Sequence, residues 1–328
     1  MTTRSALALV PGLLLAACGG GDAPASDGAE ETTATANPEA VRTADPFARG
    51  WSEADFPRVQ EIAPDVYSYE QLRSAGDELF TTVSMFVVTP VGVLVADGQG
   101  SLEETRRMIE HIAEVTDRPI THVVVSSDHG DHTAGNAAFP DDAAVYAHPT
   151  SAANLRAAAA QGGENPAPLP TRLVDDREVL DLGGTTVELL FLGRAHTGGD
   201  LTVYLPEEKV LFMSEAYLHR VFPAMRSAYP SEWVAMLERA QAMDVDVYVP
   251  GHGFVDSPAV LEAELEVYRQ AVVTVIAEAT RLHAAGVPLE EAMESATFGE
   301  LDDWSLRSSQ GPRAVQQVYA ELNGELPG

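Results

Sequence analysis

The sequence predicts a mixed fold of the α/β or α+β class, in which helices cover β-sheets. Short runs rich in Val, Leu, Ile and Thr recur between residues 82 and 249, and Gly, Pro or Asp separates many of them. Segments with apolar residues at helical spacing lie among these runs. From about Ala259 onward the pattern is mostly helical. These three observations predict a sheet-containing domain over residues 56–258 and a helical C-terminal extension over residues 259–328.

The first predicted elements are a β-hairpin and a helix. Residues 82–89 and 93–97 are apolar runs, and the turn sequence Pro90-Val91-Gly92 joins them. Ser101 is the expected N-cap of the helix, because Glu104 follows three residues later as in a capping box. The later predicted elements are strands at 121–125, 143–147 and 245–249, further strands between 179 and 212, and a helix that begins at Ser231.

The composition is strongly acidic. The chain has 20 Lys+Arg against 50 Asp+Glu, which gives a formal net charge of -30. Such a surface repels phosphate backbones, so we do not expect nucleic acid as substrate or partner. We expect a small-molecule substrate instead. The chain has a single cysteine, so no internal disulfide and no zinc site made of thiolates can form.

The N-terminal residues resemble an export signal. Residues 1–17 combine an early arginine, a short apolar run and small residues, and this run is too short to span a bilayer. Leu15-Ala16-Ala17-Cys18 resembles the bacterial lipobox, which implies a lipid anchor at Cys18; the alternative is an ordinary secretory signal with an incidental cysteine. We therefore expect a membrane-anchored lipoprotein of the bacterial cell envelope, facing the periplasm or the exterior. Residues 18–55 have few large apolar side chains and are predicted to be a disordered linker.

Side chains of the kind that bind metals cluster directly after the predicted strand 121–125. His129, Asp131 and His132 fall within four residues of one another. Zinc takes imidazole and carboxylate ligands, and a tight turn after a strand can aim several of them at one point. Loop histidines are often only solvated, so this segment alone leaves a metal site and a solvated loop equally open.

Three more candidate ligands make the metal site the better interpretation. His196, Glu215 and His252 each stand at the end of a predicted strand. Each of them alone has a structural explanation, such as a turn histidine or a capping acid. The whole ordered set, with every member at a strand end, predicts a metal site.

The ordered set resembles the metallo-β-lactamase superfamily from roughly Ile62 to Asp256. The signature of that family is His-x-His-x-Asp-His, then a histidine, a bridging acid and a last histidine. The resemblance implies an α+β fold, an αββα sandwich with the metal site at one edge between the two sheets, followed here by the helical extension. By position it implies His129 and His196 for a first zinc, Asp131, His132 and His252 for a second, Glu215 as the bridge, and Asp97 as the support of the ligand loop.

The sequence departs from the family signature at two positions. Ser127 stands where the family has its first histidine, and a neutral hydroxyl is a poor zinc ligand. Glu215 is one methylene longer than the usual bridging aspartate. Asp128 is an alternative ligand, although its side chain is expected to point away. We therefore expect one tight zinc at Asp131, His132 and His252, a second and weaker zinc at His129 and His196, and Ser127 beside the ligands rather than among them.

The resemblance implies a zinc-dependent hydrolase that attacks a lactam, lactone or ester with metal-bound hydroxide. Asp131 is the expected residue that orients the attacking water and moves its proton. The alternative is a non-catalytic, envelope-tethered binding protein that retains the fold and one structural zinc. In the segment after the bridging acid, Tyr217, His219, Phe222 and Arg226 either line the substrate cleft, or the aromatics pack in the core and the charged side chains face water.

Overall fold

The structure is a computed structural model that describes residues 42–161 and 168–327. The predicted signal peptide, Cys18 and residues 18–41 of the predicted linker lie outside the described residues. The strands of the described part are β1 (Arg58–Ala63), β2 (Val66–Ala75), β3 (Glu78–Thr89), β4 (Gly92–Ala96), β5 (Ile120–Val125), β6 (Ala144–Ala147), β7 (Arg172–Leu173), β8 (Arg177–Asp181), β9 (Thr186–Leu190), β10 (Thr202–Leu205), β11 (Val210–Leu218) and β12 (Val247–His252). Its α-helices are α1 (Leu102–Val115), α2 (Gly130–Thr133), α3 (Pro149–Ala160), α4 (Pro230–Gln241), α5 (Pro258–Ala284), α6 (Leu289–Ser295) and α7 (Arg307–Leu322).

The strands are hydrogen-bonded in the order β7-β6-β5-β4-β3-β12-β11-β10-β9-β8, and β2 and β1 continue from β3. A single residue pair, Thr82 with His252, joins β3 to β12, so the order divides there into two halves. The neighbours β4 to β7 are parallel, as are β11 and β12. Parallel strands end at the same edge of a sheet, so the segments that follow β5, β11 and β12 are available to one site.

The two halves share a hydrophobic core. Leu94 of β4 belongs to the same buried cluster as Val203 of β10 in the other half. Val95, the next residue, points to the opposite face and belongs to a second cluster with Met108 of α1. On the far side of the other half lie α4 and α5, and Trp233 of α4 is fully buried. This order of helix, sheet, sheet and helix confirms the α+β class and the αββα sandwich.

Most predicted elements form with small changes in their bounds. The N of Glu104 donates to Ser101 Oγ at 3.2 Å, so α1 begins where the capping box predicts. Helix α4 begins at Pro230, one residue before the predicted start, because proline suits the first position of a helix. Strand β12 continues to His252, three residues past the predicted end, and this brings His252 into the sheet.

The C-terminal helices pack on the domain and on one another, with contacts from α5 to β12 and from α7 to α4, α5 and α6. Glu78, at the start of β3, accepts hydrogen bonds from the backbone N of Leu306 and from Ser308 Oγ. A carboxylate is favourable there, because the first N–H groups of a helix have no partner within it. These contacts hold the first turn of α7 beside the β2–β3 hairpin. In the described ranges no helix combines the length and apolarity that crossing a membrane requires.

The folded domain begins earlier than the sequence predicts. Residues 43–49, assigned above to the linker, include buried and half-buried positions that pack on the domain. Ala44 is buried in the main core, and Arg49 forms a bidentate ion pair with Asp256 at 3.0 Å. The Arg49 guanidinium also lies over the ring of Phe254, 4.3 Å from its centroid. The sequence does not predict this start of the domain, because an ion pair and a stacked arginine hold the segment and composition reveals neither contact.

A buried ion pair ties β2 to the segment after β12. Arg58 Nη1 lies 2.6 Å from Glu70 Oε2, and the backbone N of Val255 donates to Glu70 Oε1 at 2.8 Å. Burial raises the pKa of Glu70 to about 7, although Arg58 and the N–H of Val255 oppose the rise. The folded protein therefore binds this proton more tightly than the unfolded chain does. The resulting contribution to stability is fully present below pH 4.5 and is lost as the pH rises through about 7.

We predict that Glu70→Gln changes how stability depends on pH. The free energy of unfolding of the wild type, relative to the variant, should fall by about 1–3 kcal/mol between pH 5 and pH 8. Urea unfolding of both proteins at several pH values measures this difference. Glu61→Gln, at an exposed position of the neighbouring strand, is the control and should show less change. A difference for Glu70→Gln that stays constant or grows with pH would contradict the prediction.

Candidate metal centre

The structure brings the predicted ligands together from distant parts of the chain. The turn after β5 and the short helix α2 carry three of them, the loop after β9 carries one, and β11 and β12 carry one each. Their ligand atoms form two groups, and within each group the atoms lie within 4.8 Å of one another. The first group is His129, His196 and Glu215, and the second is Asp131, His132, Glu215 and His252.

Glu215 belongs to both groups. Its Oε2 lies 3.0 Å from His129 Nδ1, and its Oε1 lies 3.1 Å from His196 Nε2. The same Oε1 is 3.4 Å from His252 Nε2 in the second group. This carboxylate thus occupies the junction at which the sequence resemblance expects a bridging acid.

The backbone around Glu215 explains how it reaches the junction. The pairing of β11 with β12 shifts register on both sides of Ser214, and Ser214 has a positive φ of 47°. Gly251 lies against this bulge: a Cβ at position 251 would come within 2.4 Å of the carbonyl carbon of Ser214. The bulge therefore needs glycine opposite it, and it turns the side chain of Glu215 toward the histidines.

The second group is oriented by partners behind it. His132 Nε2 and His252 Nε2 face each other at 3.4 Å, and Asp131 Oδ2 lies 3.3 Å from His252 Nε2. His252 donates its Nδ1–H to the carbonyl of Thr81 at 2.8 Å, which leaves its Nε2 free to act as a ligand. This arrangement is typical of histidines that bind metals.

Asp97 supports the ligand turn, as the resemblance implies. Its Oδ2 lies 3.1 Å from His132 Nδ1, and its Oδ1 accepts a hydrogen bond from the N of Ser126 at 2.7 Å. Ser214 Oγ also donates to Asp97. One fully buried carboxylate thus fixes both the imidazole of His132 and the start of the turn that carries the first ligands.

Ser127 is buried and donates a hydrogen bond from its Oγ to Glu215 Oε2. It lies beside the ligand groups and supplies no nitrogen to them. The carboxylate of Asp128 belongs to neither group and instead accepts a hydrogen bond from Asn154 Nδ2 at 2.7 Å. The position of the missing histidine is therefore occupied by a group that holds the bridging acid.

The charges of the cluster favour a cation at its centre. Burial lowers the pKa of His129, but the nearby Glu215 carboxylate outweighs burial and raises it to about 9. Burial acts in the same direction on His252, whose hydrogen bonds to Asp131 and Glu215 raise its pKa to about 10. Burial opposes ionisation of Glu215, yet His196 and His129 hold its pKa well below the ordinary value. The two carboxylates therefore attract positive charge into a site that excludes most solvent.

A cavity of about 150 Å³ opens onto the cluster. Tyr217, His219 and Phe222 do not line it, because all three are buried in the core. In β11 the side chains alternate between faces, and Leu218, which follows Tyr217, faces the cavity instead. The interpretation of these aromatics as core residues is therefore correct, and their assignment to the cleft is wrong. The walls beyond the ligands are Ala75, Phe80, Leu218, Val221, Ala224, Arg226, Leu306, Gln310 and Arg313.

Sequence reasoning missed most of these walls. Phe80 lies before the predicted hairpin, and Leu306, Gln310 and Arg313 lie in or beside α7. These positions carry no motif, and nothing in the helical pattern of the C-terminal extension shows which face meets the cavity. The loop after Glu215 was the one available signal, and it correctly pointed to Arg226.

Residues 78–252, just over half of the chain, match the family model of the Metallo-beta-lactamase superfamily. The chain belongs to this superfamily. Members of the superfamily are metal-binding hydrolases, and the cluster described above is where this chain could hold a metal ion.

The known proteins that resemble this chain are named for different activities. The 2,4-dinitroanisole O-demethylase subunit alpha of Nocardioides sp. (strain JS1661) is 25% identical over 58% of this chain and 58% of its own length, so the chain spans less than two thirds of that relative. A Metallo-beta-lactamase type 2 of Bacillus sp. (strain 170) is 23% identical over 64% of this chain and 82% of its own. The solved structure of a metallo-beta-lactamase from Pontibacter korlensis superposes with a TM-score of 0.57 at 21% identity, covering 65% of this chain and 98% of that chain. This likeness shows the fold.

The residues present fit a metal ion. Four imidazoles and two carboxylates bring nitrogen and oxygen atoms that can bind a metal within 4.8 Å of one another in each group. The donor set is nitrogen and oxygen, and partners behind His132 and His252 fix which nitrogen faces the centre.

We predict that Ser127→His raises the number of metal ions bound per chain. The added imidazole would join His129, His196 and Glu215 and complete the weaker group, so the zinc content should rise from about one to about two. Elemental analysis of protein dialysed against limiting zinc measures it. Ser127→Ala is the control, because it removes the hydrogen bond to Glu215 without adding a ligand. An equal zinc content in the wild type and Ser127→His would show that this group is not limited by the missing imidazole.

Proposed function

We propose that this protein is a zinc-dependent hydrolase that cleaves a carbonyl substrate, either a lactam, a lactone or an ester. The observation that carries the proposal is the convergence of four imidazoles and two carboxylates, of which all but His132 line one small cavity. Nitrogen and oxygen donors without thiolates suit zinc. Asp131, His132 and His252 would hold one zinc tightly, His129 and His196 would hold a second more weakly, and Glu215 would contribute to both.

A shared fold with low sequence identity does not establish a shared reaction, so the substrate class depends on the residues of the site. The relatives above are named for a β-lactamase and an O-demethylase. Zinc in such a site would supply a Lewis acid for a carbonyl oxygen and would lower the pKa of bound water to about 7. Phe80, Leu218 and Val221 make part of the cavity wall apolar, and the loss of bulk water there strengthens every electrostatic interaction with a substrate.

Asp131 is our candidate for the residue that orients the attacking water and moves its proton. Its side chain is 29% exposed and lines the cavity, whereas the side chain of Glu215 is only 5% exposed. A carboxylate that faces the cavity can accept a proton from water and return it to a leaving group. The hydrogen bond to His252 holds this carboxylate in place.

We predict that the two histidines of the second group control metal content and that Asp131, besides contributing to zinc binding, controls the rate. His132→Ala and His252→Ala should each abolish tight zinc binding and hydrolysis, because each removes a buried ligand. Asp131→Asn should reduce kcat by about 100-fold or more even when zinc is added to saturation. Zinc content and hydrolysis of an ester, a lactone and a chromogenic cephalosporin, measured on the same preparation, separate the two effects.

The control for this series is His111→Ala, which removes a histidine on α1 that contacts Glu114. It should leave both zinc content and rate unchanged. Full hydrolysis by metal-free protein, or by His252→Ala, would contradict the proposed function.

The second candidate function is a binding protein that retains one structural zinc and does not catalyse. Ser127 favours it, because this buried hydroxyl stands where the superfamily places an imidazole and is committed to Glu215. The two candidates differ in one outcome of the experiment above. Zinc bound at His132 and His252, with no turnover of any substrate in the panel, would support the binding protein.

We also propose that the domain works in the bacterial cell envelope, attached through a lipid on Cys18. Residues 1–18 support this by their apolar run followed by Leu-Ala-Ala-Cys. Lactams and acyl lactones are encountered in that compartment, which favours them as substrates. We predict that the expressed protein fractionates with membranes and incorporates labelled fatty acid, and that Cys18→Ser releases it and removes the label. A soluble, unlabelled wild type would contradict this.

A further inference from the structure

Two arginines line the cavity that opens onto the ligand cluster. Arg226 lies in the loop between β11 and α4, and Arg313 lies in α7. Both side chains are exposed, so they stand at the mouth of the cavity and not at its base. Arg313 lies outside residues 78–252, the part that matches the superfamily, so the C-terminal helices contribute it to the site.

The guanidinium groups of these two arginines contribute no polar contact to the fold in the described residues. Neither guanidinium forms an ion pair or a hydrogen bond with another residue in the described ranges 42–161 and 168–327. Carboxylates outnumber basic residues by 50 to 20 in this chain, so partners are abundant. The basic residues that do pair with a carboxylate are Arg49, Arg58, Arg73, Arg177, Arg194, Lys209, Arg220, Arg269, Arg281 and Arg307.

The backbone that carries each arginine is held in place. The N of Ala228 donates to the carbonyl of Met225 at 3.0 Å, and both of these residues are buried on either side of the Arg226 segment. Helix α7 is fixed at its start by the contacts of Glu78, and the guanidinium of Arg307 lies 4.7 Å from the ring centroid of Phe298. Arg313 is fewer than two turns further along this anchored helix.

We propose that Arg226 and Arg313 form an anion subsite and that the substrate is a small carbonyl compound carrying a carboxylate. This inference rests on the proposed function and names the substrate class of the same cavity. A guanidinium matches the geometry of a carboxylate and stays charged at every physiological pH. The reacting carbonyl would enter beside the ligand cluster, and the carboxylate would remain at the mouth between the arginines.

The size of the cavity supports a small substrate. Its volume of about 150 Å³ is below the range of roughly 300–1,000 Å³ that is usual for pockets of drug-sized ligands. Leu306 and Gln310 narrow it from the side of α7. The reacting part of the substrate is therefore limited to a few heavy atoms, and the two arginines are the charged groups that the rest of it meets first.

The charge of the protein makes a local anion subsite necessary for such a substrate. A formal net charge of -30 repels anions at long range, so an anionic substrate needs a local positive potential to bind. Arg226 lines the same cavity as His129 and His196 of the cluster. A competing role for the arginines is only to offset the carboxylates of the ligand cluster, and the experiment separates the two roles.

The test compares two esters that differ in charge alone. The substrates are 4-acetoxybenzoate and 4-acetoxybenzamide, in which a neutral amide replaces the carboxylate. We expect the zinc-loaded wild type to prefer the anion, and Arg226→Gln and Arg313→Gln each to reduce the ratio of kcat/KM for anion over amide by about tenfold. Arg106→Gln, an exposed position on α1, makes the same change in net charge and should leave the ratio unchanged.

A binding measurement keeps the subsite separate from the proposed hydrolysis. Calorimetry with zinc-loaded protein compares terephthalate with 4-carbamoylbenzoate, which lacks the second carboxylate. Tighter binding of terephthalate that Arg226→Gln and Arg313→Gln remove, without turnover of either ester, would support the subsite and contradict ester hydrolysis. Turnover with the same anion-to-amide ratio in all four proteins would overturn the subsite and leave the hydrolase standing. An anion-to-amide ratio that falls equally in Arg106→Gln would also overturn the subsite. Equal binding of terephthalate and 4-carbamoylbenzoate, or equal kcat/KM for the two esters in the wild type, would overturn it as well.

Discussion

The carboxylate of Glu215 lies almost fully buried between two groups of imidazoles, and the rest of the site depends on this contact. Burying a carboxylate costs free energy unless opposite charge and hydrogen bonds compensate. Here His129, His196 and His252 compensate it, and the hydroxyl of Ser127 adds a hydrogen bond. Because one side chain joins both ligand groups, loading of one group with a cation must change the charge that the other group meets.

The two departures from the family signature meet in one contact. Ser127 is smaller than the histidine that the signature has at this position, and Glu215 is longer than the usual aspartate. Ser127 Oγ donates directly to Glu215 Oε2, so the longer acid reaches toward the position where an imidazole is missing. The same acid also contacts His129 and His196, the two remaining imidazoles of that group. The two substitutions are therefore physically linked, because the acid places a carboxylate oxygen, which can bind a metal, near the position where an imidazole nitrogen is missing.

The C-terminal helices turn a shared fold into a particular cavity. Their contacts with the β2–β3 hairpin through Glu78 place α7 across one side of the ligand cluster. The ligands come from strand ends that the superfamily match covers, whereas part of the cavity wall comes from beyond residue 252. The candidate ligands thus lie within the superfamily match, whereas the cavity that they face is completed by residues of the C-terminal helices.

The sequence by itself determined the fold class and the candidate ligand residues, because the strand pattern and the residue types at the strand ends are visible in the chain. Alternating apolar residues define the strands, and His129, Asp131 and His132 stand within one turn after β5. The tertiary structure alone decided what these residues contact. Ser127 and Glu215 are 88 positions apart, and Arg313 follows His196 by more than a hundred, so their proximity depends on how the two half-sheets and α7 pack. The same holds for Leu218, which faces the cavity while its neighbour Tyr217 is buried, because the register of β11 against β12 sets the direction of each side chain.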